Sequence, residues 1–351
     1  MPDKLLCIGF SVRAAAGSAV RAGFQPLAAD YFSDSDLAAI ARLVKLAAYP
    51  ADVVRAAREL PAAPFLYTGA LENHPEIVQQ LQSERELLGN GPAAIRRVRD
   101  PFQLAAVLQA AGYPPPPITI SGRRLPRDGS WLSKNRRGSG GGHVRPWYGK
   151  TASSPDAYFQ RRQEGMPCSA LFVAAGGRAV LLGATRQLIG SPWNASAGFT
   201  YAGSVGPLPL AEPQRTAWNQ IGHVLATQFQ LSGLFGVDAI LQDQTLWPLE
   251  VNPRYTASVE VLERALGWHA IRLHVDACRQ SRLPAPPETD PPDRPLCGKA
   301  ILYARCDLAI GSPFCQLAQG LNRNRVWPQL ADIPPLGTRI RCRSPICTLL
   351  S

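Results

Sequence analysis

The stretch "LEVNPR" (249–254) constrains this chain more than any other. Glu250, Asn252 and Arg254 fall at every second position, directly after an apolar run. On an extended strand these three side chains share one face. A carboxylate, an amide and a guanidinium make poor core material, because buried charges must be paired or bound to something. The preceding run "LFGVDAIL" (234–241) carries Asp238, and with "TLWPLEVN" (245–252) it reads as an antiparallel hairpin that sets Asp238 beside Glu250. Two readings follow. Either the two carboxylates and the amide oxygen hold a divalent cation, for which an oxygen-only set selects Mg²⁺ or Mn²⁺, and Arg254 meets an anion held by the metal. Or the face is solvated, and Arg254 neutralises Glu250.

With 351 residues the chain is long enough for two or three domains. A hydrophobic content of 46% against 18% charged residues argues for a folded chain rather than a disordered one. The net charge of +11 comes almost wholly from arginine and suits polyanions, phosphorylated small molecules among them, or else reflects a bias toward Arg, Ala and Pro. The eight cysteines form no CxxC pair and read as reduced thiols. The start "MPDKLLCIGF" has neither a signal-peptide core nor an Arg-rich transit segment, and no run approaches ~20 apolar residues. The expectation is a cytoplasmic protein without a membrane span.

The chain opens with alternating strands and helices: "LLCIGF" (5–10), a helix over 11–24, "PLAADYF" (26–32) and "PFLYTG" (64–69). Such alternation predicts a doubly wound parallel sheet. Asp30 lies where the ribose acid of a dinucleotide fold would stand, but the glycine fingerprint is missing, which argues against NAD. Beyond a helix at 100–113 comes "WLSKNRRGSGGGHV" (131–144), a short strand running into a glycine-rich basic loop. Gly138, Gly140, Gly141 and Gly142 free the backbone to present N–H groups to phosphate oxygens, with Lys134 placed to reach the same phosphates. A basic linker would look similar. Gly176-Gly177 between two apolar runs signals a hairpin, and Trp218, Ile221, Leu225 and Phe229 mark the buried face of a helix. The proline-laden segment 281–296 reads as a linker before a β-rich tail.

Taken together, the loop "SKNRRGSGGGHV", the hairpin "CSALFVAAGGRAVLLGATRQ" and the pair "GVDAIL"…"LEVNPR" resemble the ATP-grasp superfamily over roughly residues 1–280. The tail "ADIPPLGTRIRCRSPICTLL" is similar to that of predicted carboligases related to biotin carboxylase. The resemblance implies an α/β (α+β) architecture in four parts. These are an N-terminal α/β lobe (1–95), a two-part ATP-grasp domain (96–280), the linker (281–296) and a small β-rich C-terminal domain (297–351). It further implies that Asp238, Glu250 and Asn252 hold Mg²⁺ and that Lys134 and Arg99 contact ATP phosphates beneath the 138–142 loop. By the same resemblance Arg254 stabilises an anionic intermediate, and the adenine hinge falls at "YFQRRQEG", with Gln160, Arg161 and Arg162. Pro167 occupies a place where the family often has a ribose-binding glutamate, and Glu164 is the substitute.

The implied chemistry is attack of a carboxylate on the γ-phosphate of ATP, followed by displacement of phosphate by an amine. Metal ions and cations offset the charge on the phosphoryl group, and a closed loop excludes water. The strand ends of the N-terminal lobe face the ligand side of such sheets, which makes Ser11, Arg13, Glu72, Asn73 and His74 candidate substrate groups or else loop and cap residues. Other readings are a carboxylase using bicarbonate and a non-catalytic nucleotide sensor. The arginines at 123, 124, 127, 136, 137 and 145 are not interleaved with aromatics, which argues against nucleic acid. The expected partners are a small carboxylate and an amine; a homodimer is compatible with this reading.

Overall fold

The structure is a computed structural model, and it describes every residue except 1, 150–153, 194, 196–197 and 286–294. The last range takes in most of the expected linker, which therefore lies largely outside the described residues.

The N-terminal lobe runs β1 (Lys4–Ile8), α1 (Arg13–Arg21), β2 (Gln25–Asp30), α2 (Ser35–Ala38), β3 (Arg42–Lys45), α3 (Val53–Glu59), β4 (Phe65–Tyr67) and α4 (Pro75–Glu84). Its sheet has the order β3-β2-β1-β4 and is parallel throughout. Leu5, Leu6, Cys7 and Ile8 are all fully buried, as a parallel strand covered on both faces requires. Asp30 turns inward and accepts the backbone N–H of Val12 at 2.7 Å and of Ser33 at 2.6 Å, so it serves the fold.

Helices α5 (Pro92–Val98) and α6 (Pro101–Ala110) lead into a small antiparallel sheet. Asp100 caps α6 by accepting the N–H groups of Phe102 and Gln103, and Pro101 fits the first turn, whose N–H needs no partner. The small sheet contains β5 (Ile118–Thr119), β6 (Trp131–Asn135), β7 (Arg145–Pro146) and β8 (Ala157–Arg161), in the order β5-β8-β6-β7.

The large sheet follows, with β9 (Met166–Ala175), β10 (Arg178–Ile189), β11 (Tyr201–Gly206), β12 (Gly233–Gln242) and β13 (Thr245–Asn252). Helices α7 (Glu212–Phe229), α8 (Ser258–Leu266) and α9 (Ala270–Gln280) pack on it. Trp218, Ile221, Leu225 and Phe229 of α7 are buried against Phe172 and Phe235 of the sheet. Both expected hairpins form, β9–β10 across Gly176-Gly177 and β12–β13.

The tail contributes β14 (Cys297–Tyr303), β15 (Leu308–Ala309), α10 (Ser312–Asn322), β16 (Leu330–Ala331), β17 (Arg339–Ile340) and β18 (Pro345–Leu350). Most of these strands join the large sheet rather than forming a sheet of their own. Strand β14 pairs with β11, so β14, β18 and β16 extend the large sheet to eight strands in the order β13-β12-β9-β10-β11-β14-β18-β16. Composition cannot reveal this, because the pairing joins positions about ninety residues apart. Among the described residues no helix is long and apolar enough to cross a membrane.

Candidate active site

A cleft of about 550 Å³ opens between the small sheet and the large one. Its floor is the β12–β13 hairpin, where Asp238 stands opposite Glu250. That pairing depends on a bulge. Ala239 pairs with Pro248, yet Asp238 pairs with Glu250, so Leu249 is the extra residue. Proline has no N–H for the ladder, and strands accept it at such irregularities. Continued without the slip, the ladder would set Leu249 opposite Asp238 and turn Glu250 and Asn252 to the other face.

Around Asp238 the polar contacts are dense. Gln187 donates to its Oδ1 at 3.0 Å and Asn252 to its Oδ2 at 3.1 Å. Burial and then the charge of Glu250 push the Asp238 carboxyl up to about 7. Burial also acts on Glu250, but Lys134, Arg99, His143 and Arg254 outweigh it and hold that carboxyl below its ordinary range. Two facing carboxylates of which one resists ionisation suit a divalent cation, whose charge removes the conflict. The donors are hard oxygens, as Mg²⁺ prefers. Among the described residues no three His, Cys, Asp or Glu side chains gather as a metal set, so the third donor would be the amide oxygen of Asn252, which here accepts from Arg254 at 3.2 Å.

The small sheet supplies the opposite wall. Lys134 on β6 is buried and donates to Gln160 Oε1 at 3.1 Å. Burial disfavours its charge, but Tyr158 and Glu250 more than compensate, and the ammonium is held above its usual range. Gln160, Arg161, Arg162 and Glu164 line the cleft at the end of β8, beside the apolar side chains of Leu132, Val144, Ile189 and Ile240. That combination fits a flat apolar ring held at its edge by backbone groups.

The glycine loop is docked. Arg99 donates to the carbonyl of Gly138 at 2.8 Å, and the N–H of Tyr201 to that of Gly140 at 3.0 Å. Gly140 and Gly141 have φ of +66° and +74°, and a Cβ at Gly141 would collide with the carbonyl of Phe199. Gly142 lies next to the Thr200 hydroxyl. Ser139 accepts from Asn73 at 2.8 Å and donates to Glu72 Oε1 at 3.3 Å, tying the loop to the N-terminal lobe.

Arg254 pairs with buried Glu72 at 2.8 Å, not with Glu250 as the solvated-face reading expected. The cation nearest Glu250 is Arg99, at 3.9 Å. Of the candidate substrate groups, Glu72 and Asn73 thus reach the cleft's edge, while Ser11 is exposed and its carbonyl accepts from Thr68. Arg13 is elsewhere. It is buried in ion pairs with Glu260 and Asp332, because a guanidinium without water needs several acceptors. His74 meets Tyr49 edge-on and lies 3.5 Å from Glu76. Sequence reasoning missed Gln187 and His143, which also line the cleft. Gln187 reaches Asp238 across two strand pairings, a proximity no local pattern carries.

Residues 98–258 match the family described as an ATP-grasp domain. No curated protein sequence matches. Among solved structures, the biotin carboxylase domain of 2-oxoglutarate carboxylase from Hydrogenobacter thermophilus, in complex with MgADP, ADP and bicarbonate, superposes with a TM-score of 0.71 at 15% identity, covering 100% of this chain and 86% of that one. N5-carboxyaminoimidazole ribonucleotide synthetase from Thermus thermophilus gives 0.69 at 15% identity, covering 99% of this chain and 92% of that one. Biotin carboxylase from Campylobacter jejuni gives 0.69 at 13%, covering 100% and 87%. The matched segment spans Arg99, Lys134, the glycine loop, Asp238, Glu250, Asn252 and Arg254, so residues 98–258 match an ATP-grasp domain, in agreement with the resemblance read from the sequence.

Proposed function

We propose that this protein is a Mg²⁺-dependent ligase that activates a carboxylate with ATP as an acylphosphate and passes the acyl group to an amine. The observation that carries this reading is the bulged hairpin, which sets Asp238, Glu250 and Asn252 on one face beside Arg254. In the first step a substrate carboxylate oxygen bonds to the γ-phosphorus and ADP departs. In the second the amine attacks the acyl carbon, inorganic phosphate leaves and the nitrogen gives up a proton. Bound at Asp238, Glu250 and Asn252, Mg²⁺ would supply charge neutralisation for the phosphoryl oxygens.

The chain's own groups supply the rest. Lys134 reaches the phosphate side from the small sheet, its buried ammonium keeping its charge because Tyr158 and Glu250 favour it, and Arg99 adds positive charge behind Glu250 and the glycine loop. Backbone N–H groups of 138–142 close the site against water that would hydrolyse an acylphosphate. Arg254, fixed by Glu72, presents a planar fork toward the reacting carboxylate. Hinge residues 160–164, Glu164 included, hold the nucleoside end.

Calorimetry tests the reading. ATP affinity should rise at least tenfold with Mg²⁺ in the wild type and hardly at all in Glu250→Ala; the same metal dependence in both would refute it. The relative with bicarbonate in its complex favours one narrower version, in which the activated acid is bicarbonate itself. ADP release that depends on added bicarbonate would select it.

A further inference from the structure

The C-terminal ends of all four parallel strands in the N-terminal lobe lead to aromatic side chains that meet one another. Phe10 follows β1, Tyr31 and Phe32 follow β2, Tyr49 follows β3 and His74 follows β4. Phe10 stacks on Tyr31 with ring centroids 5.0 Å apart and planes 13° from parallel. Phe32 and Tyr49 meet Phe10 edge-on at 5.0 and 5.2 Å, and His74 meets Tyr49 at 6.2 Å. This cluster is not core. Phe10 and Tyr31 keep 38% and 37% of their surface open to water. The carboxyl end of such a sheet is where open α/β folds receive ligands.

The cluster also adjoins the reacting end of the cleft. Phe10 donates its N–H to the carbonyl of Gly69 at 3.0 Å. Gly69 lies against the Arg254 guanidinium so closely that a Cβ there would stand 3.0 Å from Nη2. Polar atoms at the same corner are left incomplete. Glu72 Oε2 and Arg254 Nε are buried without a hydrogen-bond partner, and Glu72 is only 1% exposed. Buried orphans of this kind call for a missing group.

We propose that Phe10, Tyr31 and Tyr49 form the subsite for the body of the acid substrate, a small carboxylate carrying a planar aromatic or heteroaromatic ring, with its carboxylate directed to Arg254. The proposal rests on the ligase reading for what happens to that carboxylate, but ring recognition itself requires neither ATP nor metal. Each ring–ring contact favours a planar partner over a saturated one by about 2- to 10-fold.

The test is calorimetry of the intact protein without nucleotide, with benzoate, 4-hydroxybenzoate and indole-3-acetate set against cyclohexanecarboxylate. The wild type should bind the best aromatic acid at least tenfold more tightly than the saturated one. Phe10→Leu with Tyr31→Leu keeps apolar volume and removes the rings, and should reduce that preference to about twofold or less, with far-ultraviolet dichroism and the melting temperature checking the fold. Should the double variant not fold, Tyr31→Leu alone is the second variant, expected to lose at least threefold of the preference. Equal affinity for the two acid types, a preference that survives either folded variant, or no binding of any acid would overturn the proposal. A failed Mg²⁺–ATP experiment with normal ring selectivity would refute the ligase reading and leave this subsite standing.

Discussion

At the scale of single residues, Arg254 carries the sharpest expectation. Its guanidinium reaches Glu72, Asn252 and the carbonyl of Tyr255 at once, which a lysine ammonium cannot imitate with one nitrogen. Arg254→Lys should leave Mg²⁺–ATP affinity within about threefold, while turnover falls about 100- to 1000-fold, as for loss of one preorganised donor. Single-turnover ADP release beside a binding isotherm measures both. Glu72→Gln should resemble it more weakly, raising KM for the acid as well, because the fork loses its anchor rather than its charge. The period-two polar face at Glu250, Asn252 and Arg254 was legible in the sequence, since side-chain alternation is local. The partner of Arg254 was not, because Glu72 arrives from another lobe 182 positions earlier.

Among elements, the bulged hairpin and the glycine loop decide the site. Both hairpins were readable from apolar runs, the first also from Gly176-Gly177, yet the slip at Leu249 was not, since a proline in a strand admits several irregular pairings. Deleting Leu249 should give an unbroken ladder in which Glu250 follows Pro248 directly and still stands opposite Asp238, with Asn252 on the same face. Such a protein should keep the Mg²⁺-dependent ATP binding that Glu250→Ala loses; an isotherm as flat as that of Glu250→Ala would refute the registry argument. For the loop, the glycines were visible but its docking was not. Asn73→Ala removes the hydrogen bonds to Ser139 and from Arg99 but leaves those of Arg99 and Tyr201 to the loop carbonyls, a loss of about 1 kcal/mol per bond. Amide exchange across 134–145 should quicken several-fold without nucleotide and slow again with it.

For the molecule as a whole, the buried cluster of Arg13, Glu260, Lys299 and Asp332 joins three parts of the chain. None of it was legible, because a lone arginine after a strand looks like a ligand group as readily as a tie. Burial disfavours the Glu260 anion, but Arg13 and Lys299 reverse that and hold its carboxyl well below the ordinary range. Its contribution to stability is therefore complete above the ordinary carboxylate range and is lost as pH falls through it toward the depressed folded value. Asp332 acts in the same direction, with Arg13 and Lys299 as the cause after burial. Arg13→Ala should cost about 3–5 kcal/mol at pH 7, as when one member of a buried pair is removed. Its deficit against wild type should shrink toward pH 3, as chemical denaturation at a series of pH values would show.

That cluster also determines which part of the molecule is free to swing. Arg13 comes from the N-terminal lobe, Glu260 from α8, and Lys299 and Asp332 from the tail, so these parts are riveted into one frame by charges that separate only at high cost. The small sheet β5–β8 makes no contribution to the rivet. It meets the frame at the glycine loop through Arg99, Asn73, Glu72 and Tyr201, by hydrogen bonds, and through the Arg136–Asp100 pair. On the function proposed above, a nucleotide would enter by the lifting of this one sheet from a fixed frame, with these contacts to undo. On the same reading, the aromatic patch and Arg254 both belong to the frame and would keep their relation while the sheet moves.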